Sequence, residues 1–239
     1  MSLRKDFILL VPVYNPSDGW EIIFKKRYDE FCDYLGHKID VVLINDGSTK
    51  NIDQGVHYLV ENVGFCFRYI GYSTNKGKGG ALKHGVSLAK GSKYMFTDID
   101  FPYTNESMKT VWETLMSTDG IVTGYRQEAY YSDLSLFRTT LSKSLRWLNK
   151  TLLALPVNDT QCGLKAFDEE VKDLLLSCKT NRFLIDLELL LAVNKQKLKI
   201  TPVQVSLRQD IDFTKFKSSV LLKEVFNFLR IIIKYRIYK

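Results

Sequence analysis

Histidine is scarce in this chain of 239 residues: there are three, His37, His57 and His84, none at a spacing suited to a metal ligand set. All three are read as structural. Cysteine is nearly as rare. Cys32, Cys66, Cys162 and Cys178 form no CxxC unit, which argues against a zinc site and fits free thiols in a reducing cytoplasm. Long apolar runs are missing too. Phe7–Val13 has the length of a strand, far short of a bilayer-spanning helix, and lacks the layout of a secretory leader. No repeat, low-complexity tract or linker interrupts the chain. No GxxxxGK[ST] motif occurs, which excludes a P-loop.

What is present describes a globular α/β protein with a basic surface. Hydrophobic residues make up 45% of the chain, enough for a sizeable core, and aromatics 13%, which suits stacking or membrane-facing surfaces. Lys and Arg exceed Asp and Glu by 34 to 27, a net charge of +7 that favours anionic partners. The charge comes without a nucleic-acid reader motif, so nucleic acid is not expected as a partner.

The first half alternates strand and helix patterns. Asp6–Tyr14 is an apolar run closed by the turn signal Asn15-Pro16. Ser17–Leu35 reads as a helix on the spacing of Trp20, Ile23, Phe24, Tyr28, Phe31 and Leu35. Asp40–Ile44 and Phe65–Gly71 read as strands, Gly80–Lys90 as a helix, Lys93–Thr97 as a strand, Met108–Ser117 as a helix and Gly120–Gly124 as a strand. Apolar strands separated by helices predict a mostly parallel central sheet flanked by helices, with ligands at the carboxyl ends of the strands. The second half is more helical. Leu134–Leu155 carries an apolar stripe, Asn158–Lys165 is a polar loop, and Phe183–Val193 is an apolar helix holding two acids. Lys199–Leu207 is strand-like, and Val220–Tyr238 is basic and amphipathic.

The carboxyl-end rule collects Asn15, Asp46, Asn75, Asp98 and Gly124-Tyr125-Arg126 around one crevice. The sharpest signal is Asp98-Ile99-Asp100 after an apolar strand. Two acids spaced by one residue can hold a hard divalent ion that grips a diphosphate; the plain alternative is a solvated turn. A phosphatase-type DxDxT nucleophile is disfavoured because Pro102 stands where the Thr would be. Asp46 can accept from a base N–H or simply close an Asx turn. Asn75-Lys76-Gly77-Lys78-Gly79-Gly80 enters a helix and is either an anion cradle or a flexible basic turn. Arg126, Arg138 and Arg146 are phosphate ligands or parts of a solvated face. Asp186 and Glu188 are site carboxylates or buried ion-pair partners.

In order, Val11-Pro12-Val13-Tyr14-Asn15, Ile44-Asn45-Asp46-Gly47-Ser48, Asn75-Lys76-Gly77-Lys78-Gly79 and Asp98-Ile99-Asp100 resemble family 2 glycosyltransferases of the GT-A fold. The second half resembles the dolichyl-phosphate glucosyltransferase and mannosyltransferase branch. Its cues are Gly124-Tyr125-Arg126, Arg138 with Ser142, Asp159-Thr160-Gln161-Cys162-Gly163-Leu164-Lys165, and Phe183–Leu190.

The resemblance implies one domain over 1–239, with a nucleotide-binding half at 1–125, an acceptor and sugar half at 126–219, and a C-terminal helix at 220–239. It implies that Pro12, Tyr14 and Asp46 frame the base and ribose, with Asn15, Asn75, Lys76 and Lys78 on the donor side. Asp98 and Asp100 would handle Mg2+ or Mn2+ and the diphosphate. Arg126, Arg138, Ser142 and Arg208 would meet phosphate groups of donor or acceptor, and Gln161 to Lys165 would line the sugar pocket. Two departures are visible: Pro16 and Pro102 stand where relatives commonly carry Glu and Gln.

The implied reaction is inverting transfer of a hexose from a nucleoside-diphosphate sugar, UDP favoured, to a polyprenyl phosphate. Asp186 or Glu188 would serve as base if the acceptor were instead a saccharide hydroxyl. A catalytically silent nucleotide-sugar-binding subunit is the alternative from another class. The expected place of action is cytoplasmic, with the C-terminal helix at a membrane surface or docked on the core.

Overall fold

The computed structural model describes residues 7–126, 155–157, 159–182, 184–210 and Phe228. Arg138, Ser142 and Arg146 lie outside these residues, as do nearly all of the expected 134–155 and 220–238 helices.

Seven strands form one sheet: β1 (Phe7–Val13), β2 (Asp40–Asp46), β3 (Phe67–Tyr72), β4 (Lys93–Phe96), β5 (Ile121–Arg126), β6 (Lys165–Asp168) and β7 (Ile200–Val205). Their spatial order is β3-β2-β1-β4-β6-β5-β7. β6 runs antiparallel to both of its neighbours, β4 and β5, while the other pairings are parallel. Strands from both halves of the chain therefore share one sheet.

Alternation along the strands sorts side chains onto two buried faces. Phe7, Leu9, Val11, Val13, Val41 and Leu43 join one core cluster with the apolar faces of α1 (Trp20–Leu35), α2 (Asp53–Val63) and α4 (Asn105–Ser117). Ile8, Leu10, Val42 and Ile44 join the other with α3 (Lys78–Leu88), α5 (Glu169–Ser177) and α6 (Ile185–Lys195). Each large side chain buried this way contributes about 1.5–3 kcal/mol. Phe228 is helical and packs into the second cluster, so the C-terminal segment touches the core at that residue.

Local chemistry sets the element ends. α1 buries Trp20, Phe24, Tyr28 and Phe31, while Ile23 from the expected stripe is 46% exposed. The helix stops at Gly36 with φ 79°, and His37 N–H returns to Cys32 O at 3.1 Å, a left-handed C-terminal cap. Thr104 caps α4 by accepting from Ser107 N–H at 3.2 Å.

Three elements have no counterpart in the sequence reading: α2, β6 and α5. β6 is a four-residue strand that begins at the last residue of the expected polar loop. Asp168 carried a signal for α5. It accepts from Val171 N–H at 3.1 Å, with Glu169 and Glu170 in the first turn.

Candidate active site

The parallel register sets Val13 at the end of β1 opposite Asn45 near the end of β2, and β4 ends at Phe96 opposite Leu10, so the Asp98 turn follows beside the last residues of β1. A cavity of about 320 Å³ opens there, lined by Pro12, Val13, Tyr14, Asp46, Asn75, Gly77, Lys78, Asp98 and Arg182. Six of the expected donor-side residues thus share one cleft. Arg182 is an addition that no sequence pattern marked.

Tyr14 is 48% exposed and lines the cavity. Asn15 follows with φ 46°, a conformation Asn adopts more readily than most residues. Its carboxamide oxygen accepts from Thr49 N–H at 2.8 Å and Lys50 N–H at 3.0 Å, and its own N–H donates to Ser48 Oγ at 3.0 Å. Asn15 is therefore a clasp between the loops after β1 and β2.

Asp46 is 4% exposed, and donors surround its carboxylate. Oδ1 accepts from Tyr72 Oη at 2.5 Å and Lys76 N–H at 2.8 Å. Oδ2 accepts from Asn75 Nδ2 and Gly77 N–H, both at 2.8 Å. Whatever ligand it meets, Asp46 fastens the 75–77 loop into the cavity wall, and it lines the cavity itself. Lys76 lies over the Tyr72 ring, 4.5 Å from its centroid.

The glycines after Asn75 serve packing. A Cβ on Gly77, whose φ is 90°, would lie 2.7 Å from Asn181 O; one on Gly79 would lie 2.8 Å from Ile185 Cβ. Gly80 N–H is taken by Asn181 O at 3.0 Å. These contacts press the start of α3 onto the segment before α6.

Asp98 and Asp100 occupy the turn after β4. The Asp98 side chain is 47% exposed and lines the cavity. Burial, and then the neighbouring Asp98 charge, push the Asp100 carboxyl above the usual carboxylate range. Phe101 closes the turn with φ 46°, which bulky residues rarely adopt. It is fully buried, packed edge-on against Phe24 at 5.4 Å, and its N–H returns to Asp98 O at 3.0 Å. Core packing thus holds a turn whose backbone costs about 1–3 kcal/mol. Among the described residues no group of three or more His, Cys, Asp or Glu side chains is arranged to hold a metal.

The loop before β6 reaches the same turn. A Cβ on Gly163 would sit 2.6 Å from Asp98 Oδ2, so only a bare backbone approaches this closely. Gly163 N–H donates to Tyr103 Oη at 2.8 Å, tying the two loops together. Gln161, at the tip, is half-buried.

Among the described residues, the other charges expected at the site are engaged by protein partners. Arg126 and Asp159 form a bidentate pair, Nε to Oδ2 at 2.8 Å and Nη2 to Oδ1 at 2.9 Å. Burial works against the Asp159 charge, but Arg126 outweighs it and holds the carboxyl below its ordinary value. Lys165 is fully buried and donates to Asp186 Oδ1 at 2.8 Å and to the carbonyls of Cys162 at 2.5 Å and Thr160 at 3.2 Å. Glu188 accepts from Thr180 N–H at 2.7 Å and Lys179 N–H at 3.2 Å, holding the turn before α6. Arg208 reaches Tyr103 O at 3.1 Å, Asn105 Oδ1 at 2.6 Å and Glu30 at 3.0 Å, bracing the loop that follows Asp100.

Comparison with known proteins places this geometry in context. The family model described as Glycosyl transferase family 2 matches residues 9–172. The chain is 27% identical over 233 residues to a dolichyl-phosphate beta-glucosyltransferase of Dictyostelium discoideum, covering 89% of this chain and 70% of that protein. The corresponding Homo sapiens protein is 25% identical, with 86% and 68% covered. Among solved structures, glucosyl-3-phosphoglycerate synthase from Mycobacterium tuberculosis, in complex with Mn2+, UDP and phosphoglyceric acid, superposes with a TM-score of 0.64 at 14% identity. That match covers 96% of this chain and 78% of the other, and at this identity it speaks for a common GT-A fold.

Proposed function

The chain belongs to glycosyl transferase family 2, and from that premise we propose that it moves a hexose from a nucleoside-diphosphate sugar, UDP favoured, to a polyprenyl phosphate. The observation that carries this reading is the cavity at the ends of β1, β2 and β4. It sets an exposed aromatic ring, a lysine and a half-exposed carboxylate around one space. In this reading the Tyr14 ring flanks the base, and Lys78 and the divalent-ion site face the diphosphate.

The two turn carboxylates fit Mg2+ or Mn2+ bound together with the donor. Asp98 lines the cavity, whereas Asp100, two residues on in the same turn, does not; its carboxyl is raised first by burial and then by the Asp98 charge, and a cation at the turn would relieve the second. Asp98 and Asp100 would hold the ion, with donor oxygens and water completing the shell. Bound there, it would neutralise charge gathering on the departing nucleoside diphosphate. The protein's own share is positioning: the Asp46 clasp fixes the nucleotide-side loop, and the Tyr103–Gly163 bond fixes the sugar-side loop against the turn.

The acceptor assignment rests on the relatives' chemistry and on the fate of the two α6 acids. A phosphate monoester is already anionic near neutral pH and attacks the anomeric carbon without a base. A hydroxyl acceptor requires one. Asp186 is 3% exposed with Lys165 and Lys78 on it, and Glu188 is 1% exposed and spent on backbone N–H groups. Neither has the access of a base. Among the described residues no helix is long and apolar enough to cross a membrane, and in this reading a lipid acceptor is met at the bilayer surface. We assign that contact to the basic residues 220–239.

The test is a transfer assay with radiolabelled UDP-hexoses, Mg2+ or Mn2+, and three acceptors: dolichyl phosphate, undecaprenyl phosphate and a saccharide. The expected product is a polyprenyl-phosphate hexose of inverted anomeric configuration. Transfer to the saccharide alone would overturn the acceptor assignment, and binding of UDP without any turnover would overturn the enzyme reading.

A further inference from the structure

Lys78 opens α3 in the cavity wall with 12% of its side chain exposed. Its ammonium lies 3.4 Å from Asp98 Oδ1, 3.6 Å from Asp186 Oδ2, and 5.2 Å from the centroid of the Phe96 ring beneath it. Burial opposes the charge, yet Asp186 and Asp98 outweigh it and keep this lysine more firmly protonated than one in water. Asp186 is anchored from behind by Lys165, which is itself held by two carbonyls. Asp98, Lys78, Asp186 and Lys165 thus form one chain of ion pairs that alternates in sign. The Lys165 end is buried and fixed, and the Asp98 end opens on the cavity.

A cation arriving at Asp98 meets one already there. We propose that Lys78 is a tethered cation that shares Asp98 with the divalent ion. In the free protein it neutralises this carboxylate; with donor bound, it stays anchored by Asp186 and directs its charge at the diphosphate. Asp186 and Lys165 are then positioning residues for Lys78. The inference rests on the donor chemistry proposed above and adds two properties to it. The divalent ion alone binds weakly because Lys78 occupies its ligand, and a nucleoside diphosphate keeps part of its affinity when the ion is chelated.

The test reads binding without turnover. Mn2+ is titrated into the nucleotide-free protein by electron paramagnetic resonance, and UDP binding is measured calorimetrically in EDTA. Lys78→Met should tighten Mn2+ binding roughly tenfold, since a like charge at contact range is removed. The same change should weaken UDP binding in EDTA by roughly tenfold, through loss of a charge-assisted contact. Asp186→Asn should weaken Mn2+ binding, because Lys78 then leans on Asp98 alone. Opposite shifts in two variants are not produced by a general loss of fold. Lys76→Met removes the same charge two residues before α3, where the ammonium sits over Tyr72, and should leave Mn2+ affinity near that of the wild type. Equal Mn2+ affinity in wild type and Lys78→Met, or an equal gain in Lys76→Met, would overturn this inference while leaving the proposed reaction standing. No Mn2+ binding by any of these proteins, even with UDP, would remove the ion from the proposed reaction and this inference with it.

Discussion

The two sides of the cleft use the same kinds of residue to opposite ends. On the cavity side, at the ends of β1 and β4, Tyr14 and Asp98 are about half exposed and face open space. On the other side, Arg126, Asp159, Lys165, Asp186 and Glu188 are as charged and as suggestive in sequence, yet each is matched by protein partners at hydrogen-bonding distance. The difference is one of saturation: Tyr14 and Asp98 keep surface toward the cavity even where, as at Asp98, a protein cation stands beside them. On the other side the protein itself supplies close partners, and the charges brace the loops around the cleft.

That contrast can be broken by substitution, and the largest effect falls on the open side. Asp98→Ala should lower turnover by about a thousandfold, the scale for losing a group that stabilises developing charge, while its melting temperature stays near that of the wild type. A hexosyl-transfer rate like the wild type's would move Asp98 out of the site. On the framed side the signature is reversed. Arg126→Met strips the Asp159 carboxylate of its guanidinium and should cost about 3–5 kcal/mol of stability, read by urea denaturation. A melt unchanged from wild type would show that Arg126 belongs with the ligand-facing groups.

Smaller effects sharpen the boundary. Tyr14→Ala should raise the donor KM by roughly tenfold, as loss of one stacking surface does, with kcat little changed; Tyr14→Phe should retain the wild-type KM. Glu188→Gln keeps an acceptor for Thr180 N–H and should lower stability by about 1 kcal/mol without a large fall in kcat. A hundredfold loss of kcat there would restore Glu188 as a base. The smallest effect concerns pH. The Asp100 carboxyl titrates above its unfolded value, so its neutral form favours the folded, metal-free protein. That contribution is complete below the ordinary carboxylate range and is lost as pH rises through the raised value. Asp100→Asn should therefore flatten a slight fall in melting temperature across this interval, and added Mn2+ should reverse the fall in the wild type only.

Much of the open side was legible in the sequence. Apolar strands of β1, β2 and β4 each end in a polar turn, and a parallel sheet gathers such ends together. The framed side was harder to read. A sequence shows that Asp186 and Glu188 are acids on an apolar helix, but their partners come from distant points of the chain or from backbone N–H groups. Asp46 illustrates the same limit: its four donors lie 26 to 31 residues away and include two main-chain groups that no motif advertises. β6 escaped because four residues carry too short an alternation to register, and its lysine looked like the end of a loop.

The reversed direction of β6 has a consequence for how such a cleft can diversify. Every parallel strand delivers its outgoing connection to the cleft rim, whereas a strand set head-to-tail among them receives its incoming one there. The 160–164 segment therefore meets the Asp98 turn as an entrance, threaded before the sheet is rejoined. Under the proposed reaction, changing its length or tip would reshape the surroundings of the Asp98 turn while the pairing downstream kept its register, so selectivity for a transferred hexose could drift without reworking the scaffold.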